Sequence, residues 1–85
     1  MVYRILFTPR AVRDFESLPD RDRGRVATKI DGLAKEPRPH GVKKLAGSED
    51  IYRMRVGDYR VLYTVQDRVV TVSIVRVGHR RDIYR

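Results

Sequence analysis

The stretch Tyr52-Arg53-Met54-Arg55-Val56-Gly57-Asp58-Tyr59-Arg60 decides the fold, because apolar and cationic residues alternate on both sides of a Gly-Asp pair. Period-two alternation is a strand signal. It sends Arg53 and Arg55 to one face and Tyr52, Met54 and Val56 to the other. A two-residue loop with glycine first suits a type II′ hairpin, in which Val56 faces Tyr59 and Arg55 faces Arg60. Two cationic groups ~5 Å apart repel by about 1 kcal/mol in water and about 3 kcal/mol at an effective dielectric near 20. A solvated face accounts for any one of these arginines alone. The trio on one face reads better as a phosphate site, since the guanidinium fork matches phosphate oxygens.

Toward the C-terminus, Tyr59 to Gln66 and Val69 to about Val77 read as two further strands joined by a turn at Asp67-Arg68. With two-residue loops, one face of the sheet is apolar or aromatic: Tyr52, Met54, Val56, Tyr59, Val61, Tyr63, Val65, Val70, Val72 and Ile74. Helices are expected there. The opposite face holds Arg53, Arg55, Arg60, Thr64, Thr71 and Ser73, with Leu62 and Val75 as exceptions, and is expected to be open to solvent or ligand. Arg76 breaks the parity, which a bulge or a strand end near Gly78 explains.

Toward the N-terminus, Val2 to Phe7 has strand composition, and Thr8-Pro9 supplies a cap and a first helical residue. Ala11, Val12, Phe15 and Leu18 then recur at helical spacing. After the break at Pro19-Asp20, a second helix from about Asp20 to Lys35 gathers Val26, Ala27, Ile30, Leu33 and Ala34. Pro37, Pro39 and Gly41 prevent further helix, and Val42 to Leu45 allows a short extended piece. The expected fold is α+β, in the order β-α-α-β-β-β. Two helices pack as a hairpin on one face of a small, mainly antiparallel four-stranded sheet, and residues 1–85 form a single domain.

A chain of 85 residues buries roughly 60 to 65 per cent of its unfolded surface, enough for one sheet and two helices. Its formal charge of +8 and pI near 10.4 favour polyanionic partners. Residues 1–50 carry eleven Lys and Arg against eight acids, whereas residues 51–85 carry eight Arg against three. The excess therefore lies in the strand-rich half. With no cysteine and two dispersed histidines, neither a disulfide framework nor a zinc site is expected. No apolar run approaches the ~18 residues of a membrane span, and no signal peptide is evident, so a cytoplasmic location is expected without membrane partners.

The tail Val77-Gly78-His79-Arg80-Arg81-Asp82-Ile83-Tyr84-Arg85 adds arginines, a histidine and a tyrosine near the start of the Tyr59 strand. Each has an ordinary structural explanation: a tail aromatic on the core, a strand-end histidine, solvated arginines. Together with the arginine hairpin they supply a proton acceptor and phosphate stabilisers, with no metal ligands and no serine or cysteine triad. RNA can be cut by such a set, because its 2′-hydroxyl is an internal nucleophile. A general base contributes about 10²- to 10⁴-fold, and donors aimed at the phosphorane add a comparable amount. A tyrosine base, ordinarily of pKa near 10, needs nearby arginines to favour its phenolate.

The order of elements, the string YRMRVGDYRVLY (Tyr52 to Tyr63) and the ending RVGHRRDIY (Arg76 to Tyr84) resemble the RelE branch of the RelE/ParE toxin superfamily over essentially the whole chain. The resemblance implies a type II toxin that enters the ribosomal A site. There it cleaves mRNA by 2′-hydroxyl attack without metal or cofactor, leaving a 2′,3′-cyclic phosphate and a 5′-hydroxyl. It also implies neutralisation by a RelB-like antitoxin, whose complex is a candidate for binding operator DNA. Tyr84 matches the tyrosine proposed as general base, Arg80 the arginine for leaving-group protonation or charge stabilisation, and Arg60 the arginine that grips the scissile phosphate. Arg53 and Arg55 fall where lysines are common, and arginine keeps the charge but does not readily donate a proton. His79 is a secondary acid-base candidate, as related toxins use a histidine. Lys43, Lys44 and Arg81 are candidates for RNA or ribosome contact. Two alternatives stand beside the nuclease: a ParE-like gyrase poison without nuclease activity, and a non-catalytic basic RNA-binding module. The module has less support, since the strand tyrosines fall on the packed face.

Overall fold

Thr8 starts α1 (Pro9–Glu16) as expected: its hydroxyl accepts from the Ala11 N–H at 3.1 Å, and Pro9 occupies a position whose N–H would have no helical partner. The computed structural model describes residues 2–45 and 51–83. Ser17 to Pro19 lead directly into α2 (Asp20–Gly32). Ala11, Leu18, Val26, Ile30 and Leu33 are buried against the sheet, whereas Val12 is 40% exposed and lies off the core-facing stripe.

The sheet has five strands, one more than expected: β1 (Arg4–Phe7), β2 (Lys43–Lys44), β3 (Ile51–Val56), β4 (Tyr59–Gln66) and β5 (Thr71–His79), in the order β1-β5-β4-β3-β2. β1 runs parallel to β5, and the other pairs are antiparallel. The added strand is two residues long, pairing Lys43 with Arg53 and Lys44 with Tyr52. Two residues carry no periodicity, so only the open edge of β3 makes them a strand.

The arginine hairpin has the expected register, with Val56 opposite Tyr59 and Arg55 opposite Arg60. Gly57 sits at φ 59°, while Asp58 is not in the left-handed region, as a type II′ turn requires. The second hairpin differs. Instead of a two-residue turn at Asp67-Arg68, a 3₁₀ turn over Asp67–Val69 and a left-handed Val70 (φ 48°, ψ 51°) precede β5. Val65 therefore pairs with Val72, not Val70. Because the displacement is two residues, the side chains from Thr71 to Ile74 keep their expected faces. The wider loop also sets Asp67 within reach of Arg38, which pairs with it at 2.8 Å, and of the Tyr3 hydroxyl, which donates to it at 2.6 Å.

Arg76 changes parity through a bulge. Tyr63 pairs with Ile74 and Leu62 with Arg76, leaving Val75 as the extra residue and turning Val77 into the core at 2% exposure. β1 covers the outer edge of β5 only as far as Ile74, and α1 completes it. The Thr8 hydroxyl donates to the Val75 carbonyl at 3.1 Å, and the Asp14 carboxylate accepts from the Val77 N–H at 3.0 Å and from Arg76 at 2.8 Å. Burial alone would raise the Asp14 carboxyl, but the Val77 N–H and the Arg76 and Arg10 guanidinium groups outweigh it and hold the carboxyl below its usual range.

The core lies between the helices and the expected apolar face, with Met54, Val56, Val61, Tyr63, Val72 and Ile74 buried as expected and Val77 added by the bulge. Tyr63 is fully buried, and its hydroxyl donates to the Pro37 carbonyl at 2.8 Å, tying the proline segment to the sheet. The opposite face is less open than expected. Leu62 and Thr71 on it are buried, the Thr71 hydroxyl donating to the Val69 carbonyl.

Candidate phosphate and RNA site

Arg53, Arg55 and Arg60 lie on the sheet face away from the helices. Arg55 stands directly opposite Arg60, and Lys43 extends the cationic row by standing opposite Arg53 on β2. Arg55 is exposed, and Arg53 and Arg60 are partly exposed. The Arg60 guanidinium donates to the carbonyls of Gly57 at 3.3 Å and Tyr59 at 3.0 Å, so the hairpin turn itself orients it. Arg53, Arg55, Arg60, Lys43 and His40 border a concavity of about 780 Å³ that reaches past the edge of β3 to Lys29 of α2 and to Leu33, which caps that helix.

Lys44 is not in this row. It stands opposite Tyr52, with its ammonium 5.9 Å from the centre of that ring and therefore toward the other face. It belongs to a group with Arg38, whose Nε donates to the Tyr52 hydroxyl at 2.9 Å and whose terminal nitrogens bind both oxygens of Asp67. The Arg38 and Tyr3 hydrogen bonds pull the Asp67 carboxyl down to about 2. Arg38 went unnoticed in sequence because its partners are 14 and 29 residues away.

The tail is built onto the hairpin turn. The Arg80 N–H donates to the Asp58 carbonyl at 2.8 Å, and the Arg80 guanidinium is a loose 4.0 Å from the exposed Asp58 carboxylate. His79 lies opposite Tyr59 and meets its ring edge-on at 5.7 Å, on the helix side of the sheet and not among the arginines. The Tyr59 hydroxyl donates to Asp22 of α2 at 3.1 Å; burial first, then this bond, raises its pKa. Arg81 is exposed, and its N–H donates to His79 Nδ1 at 3.2 Å. Ile83, which sequence reasoning passed over, is 3% exposed and sits over Gly78 on the arginine face. Its signal was an apolar residue in a charged tail, five positions after a glycine in a strand. Tyr84 lies outside the described residues. Among those described, no cluster of three or more His, Cys, Asp or Glu could hold a metal ion, and no helix is long and apolar enough to cross a membrane.

This arrangement places three arginines on one sheet face, beside a concavity with a partly apolar lining, which suits a phosphodiester with its attached bases. Comparison with known proteins agrees in kind. The family model of the ParE toxin of type II toxin-antitoxin systems, parDE, matches residues 5–84. Toxin RelG of Mycobacterium tuberculosis is 42% identical over 100% of this chain and 99% of its own. The mRNA interferase toxin RelE of Escherichia coli is 32% identical over 94% of this chain and 85% of its own. Among solved structures, the archaeal RelE-RelB complex of Pyrococcus horikoshii contains a chain that superposes with a TM-score of 0.82 at 34% identity, covering 96% of this chain and 99% of that one.

Proposed function

Because the chain belongs to the ParE toxin family of type II toxin-antitoxin systems, on the RelE branch of the RelE/ParE superfamily, we propose that it is a ribosome-dependent mRNA endoribonuclease held in check by a RelB-like antitoxin. The observation that carries this reading is the opposition of Arg55 and Arg60, flanked by Arg53 and Lys43 on one face, with Arg80 fastened to the turn of the same hairpin.

In the proposed reaction, Tyr84 takes the proton of the 2′-hydroxyl and the 2′-oxygen attacks the adjacent phosphorus. The bond to the 5′-oxygen breaks, leaving a 2′,3′-cyclic phosphate and a 5′-hydroxyl. Arg60 holds the scissile phosphate, and Arg53 and Arg55 neutralise the phosphorane and favour the phenolate of Tyr84. Arg80 stabilises the charge developing on the leaving oxygen. Arginine is a poor proton donor, so solvent is the natural source of that oxygen's proton. No metal or cofactor enters the scheme. Lys43 and Arg81 contact RNA phosphates, and the site of action is the cytoplasmic ribosome.

Purified toxin added to programmed ribosomes is expected to cut mRNA in register with codons, and added antitoxin to stop it. Absence of cutting by the parent, or cutting unaffected by Tyr84→Phe combined with Arg60→Ala, would overturn the proposal. The ParE name of the matching family favours one second reading, inhibition of DNA gyrase. Loss of supercoiling with intact mRNA would select it.

A further inference from the structure

His79 is the hub of the turn that carries Arg80. Its carbonyl accepts from the N–H groups of Asp82 at 2.8 Å and Ile83 at 3.0 Å, and its Nδ1 accepts from the Arg81 N–H at 3.2 Å. Accepting at Nδ1 leaves the ring proton on Nε2 and makes the neutral imidazole the form that closes the turn. The ring is also packed, edge-on to Tyr59, whose hydroxyl is held by Asp22. His79 therefore points away from Arg53, Arg55 and Arg60, the groups that would hold the scissile phosphate.

A second fastening lies on the opposite face. Gly78 pairs with Arg60, and a Cβ there would lie 3.2 Å from Ile83 Cδ1. The missing side chain is thus the seat in which Ile83 is buried. Between the two fastenings the Arg80 N–H is bonded to the Asp58 carbonyl at the turn of the arginine hairpin. The chain leaves this turn one residue before Tyr84.

From this geometry we infer that His79 is a positioning residue: it closes the 79–83 turn by accepting through Nδ1, Ile83 in the Gly78 seat holds the turn down, and proton transfer by the imidazole is not its role. The inference deepens the nuclease reading and rests on it for the meaning of Arg80's position, but the turn can be tested without that reading.

The pattern from a side-chain acceptor to the N–H two residues on is that of an Asx turn, which asparagine forms readily. His79→Asn keeps an acceptor where Nδ1 stands and has no titratable group. His79→Gln carries the same amide one methylene further out, where it cannot close the turn. Both lose the ring contact with Tyr59, so the pair differs mainly in the acceptor. His79→Asn is expected to cut mRNA within about threefold of the parent under mildly alkaline conditions, where both side chains can accept. His79→Gln is expected to lose about 10- to 100-fold in kcat with KM little changed, as suits a reacting group displaced by ~1 Å. Amide exchange read by NMR on the free toxin gives the second measurement. The Arg81 and Ile83 N–H groups should be protected in the parent and in His79→Asn, and exchange at least about fivefold faster in His79→Gln. Equal exchange in all three proteins overturns the latch. Cutting as poor in His79→Asn as in His79→Gln, with protection retained in the former, overturns the accepting role in favour of proton transfer. A parent that shows the exchange pattern but cuts no mRNA refutes the nuclease reading and leaves the turn as described.

Discussion

Arg55 and Arg60 stand directly opposite each other across β3 and β4, a like-charge pair with no acidic side chain bonded to either among the described residues. Such a pair opposes folding and favours anion binding, so the two effects should separate on mutation. Arg55→Thr, which keeps strand propensity, is expected to raise stability by about 0.5 kcal/mol at low salt, with the gain shrinking toward zero in ~1 M salt. The same variant should bind RNA more weakly. Thermal unfolding across a salt series checks the first claim, and a fall in the salt dependence of RNA affinity by about one phosphate contact checks the second.

Asp14 takes the place of a strand along the part of β5 that β1 does not reach. Its carboxylate is mostly buried and accepts from both the Val77 N–H and Arg76. Asp14→Ala leaves a backbone donor and a guanidinium without their acceptor, which is expected to cost about 2 kcal/mol, whereas Asp14→Asn can keep the Val77 bond and should cost about half as much. Denaturant unfolding measures both. Equal losses in the two variants would mean that the charge, not the Val77 bond, carries the stabilisation.

The first hairpin was legible because its turn residues and its alternation agree, and a II′ turn leaves one register for Val56-Gly57-Asp58-Tyr59. The second was misread at the loop but not at the faces. Asp67-Arg68 looks like a two-residue turn, yet Asp67 is committed to Arg38 and Tyr3, and Val70 takes a left-handed conformation that its type rarely signals. Since two residues were added, Val72 and Ile74 stayed in the core. Placement of Lys44 and His79 away from the arginines follows from pairing partners, which no local pattern carries: Lys44 inherits the face of Tyr52, and His79 that of Tyr59. Ile83 did carry a local signal, an apolar residue in a charged tail, but its seat over Gly78 is a glycine's absent side chain, which no pattern displays.

Asp67 sets a pH dependence of known sign. Its carboxyl falls from 3.8 to about 2 in the folded protein, first through the Arg38 hydrogen bonds and then through that of Tyr3. A depressed carboxyl stabilises the fold fully above its unfolded value, and the contribution disappears as pH falls from about 3.8 through about 2. Asp67→Asn should therefore melt below the parent at neutral pH, with the gap in Tm closing over that window. A gap that stays constant down to pH 2 would remove Asp67 as its source.

Gly78→Val sets two effects against each other. Gly78 is in a strand and not at positive φ, so a β-branched residue should favour the backbone there. The new side chain, however, occupies the seat of Ile83, whose Cδ1 already lies 3.2 Å from a Cβ at that position. Expulsion of a buried isoleucine costs about 2 kcal/mol, more than strand propensity returns, so net destabilisation of about 1 to 2 kcal/mol is expected. Ile83→Ala should cost a similar amount. The pair shares one contact, so in an Ile83→Ala background Gly78→Val should cost nothing further or be slightly stabilising. A double-mutant cycle by denaturant unfolding measures that coupling, and mRNA cutting should follow it, falling in either single variant and little further in the double. Additive losses would show that Gly78 is required by the strand itself and that Ile83 is held elsewhere.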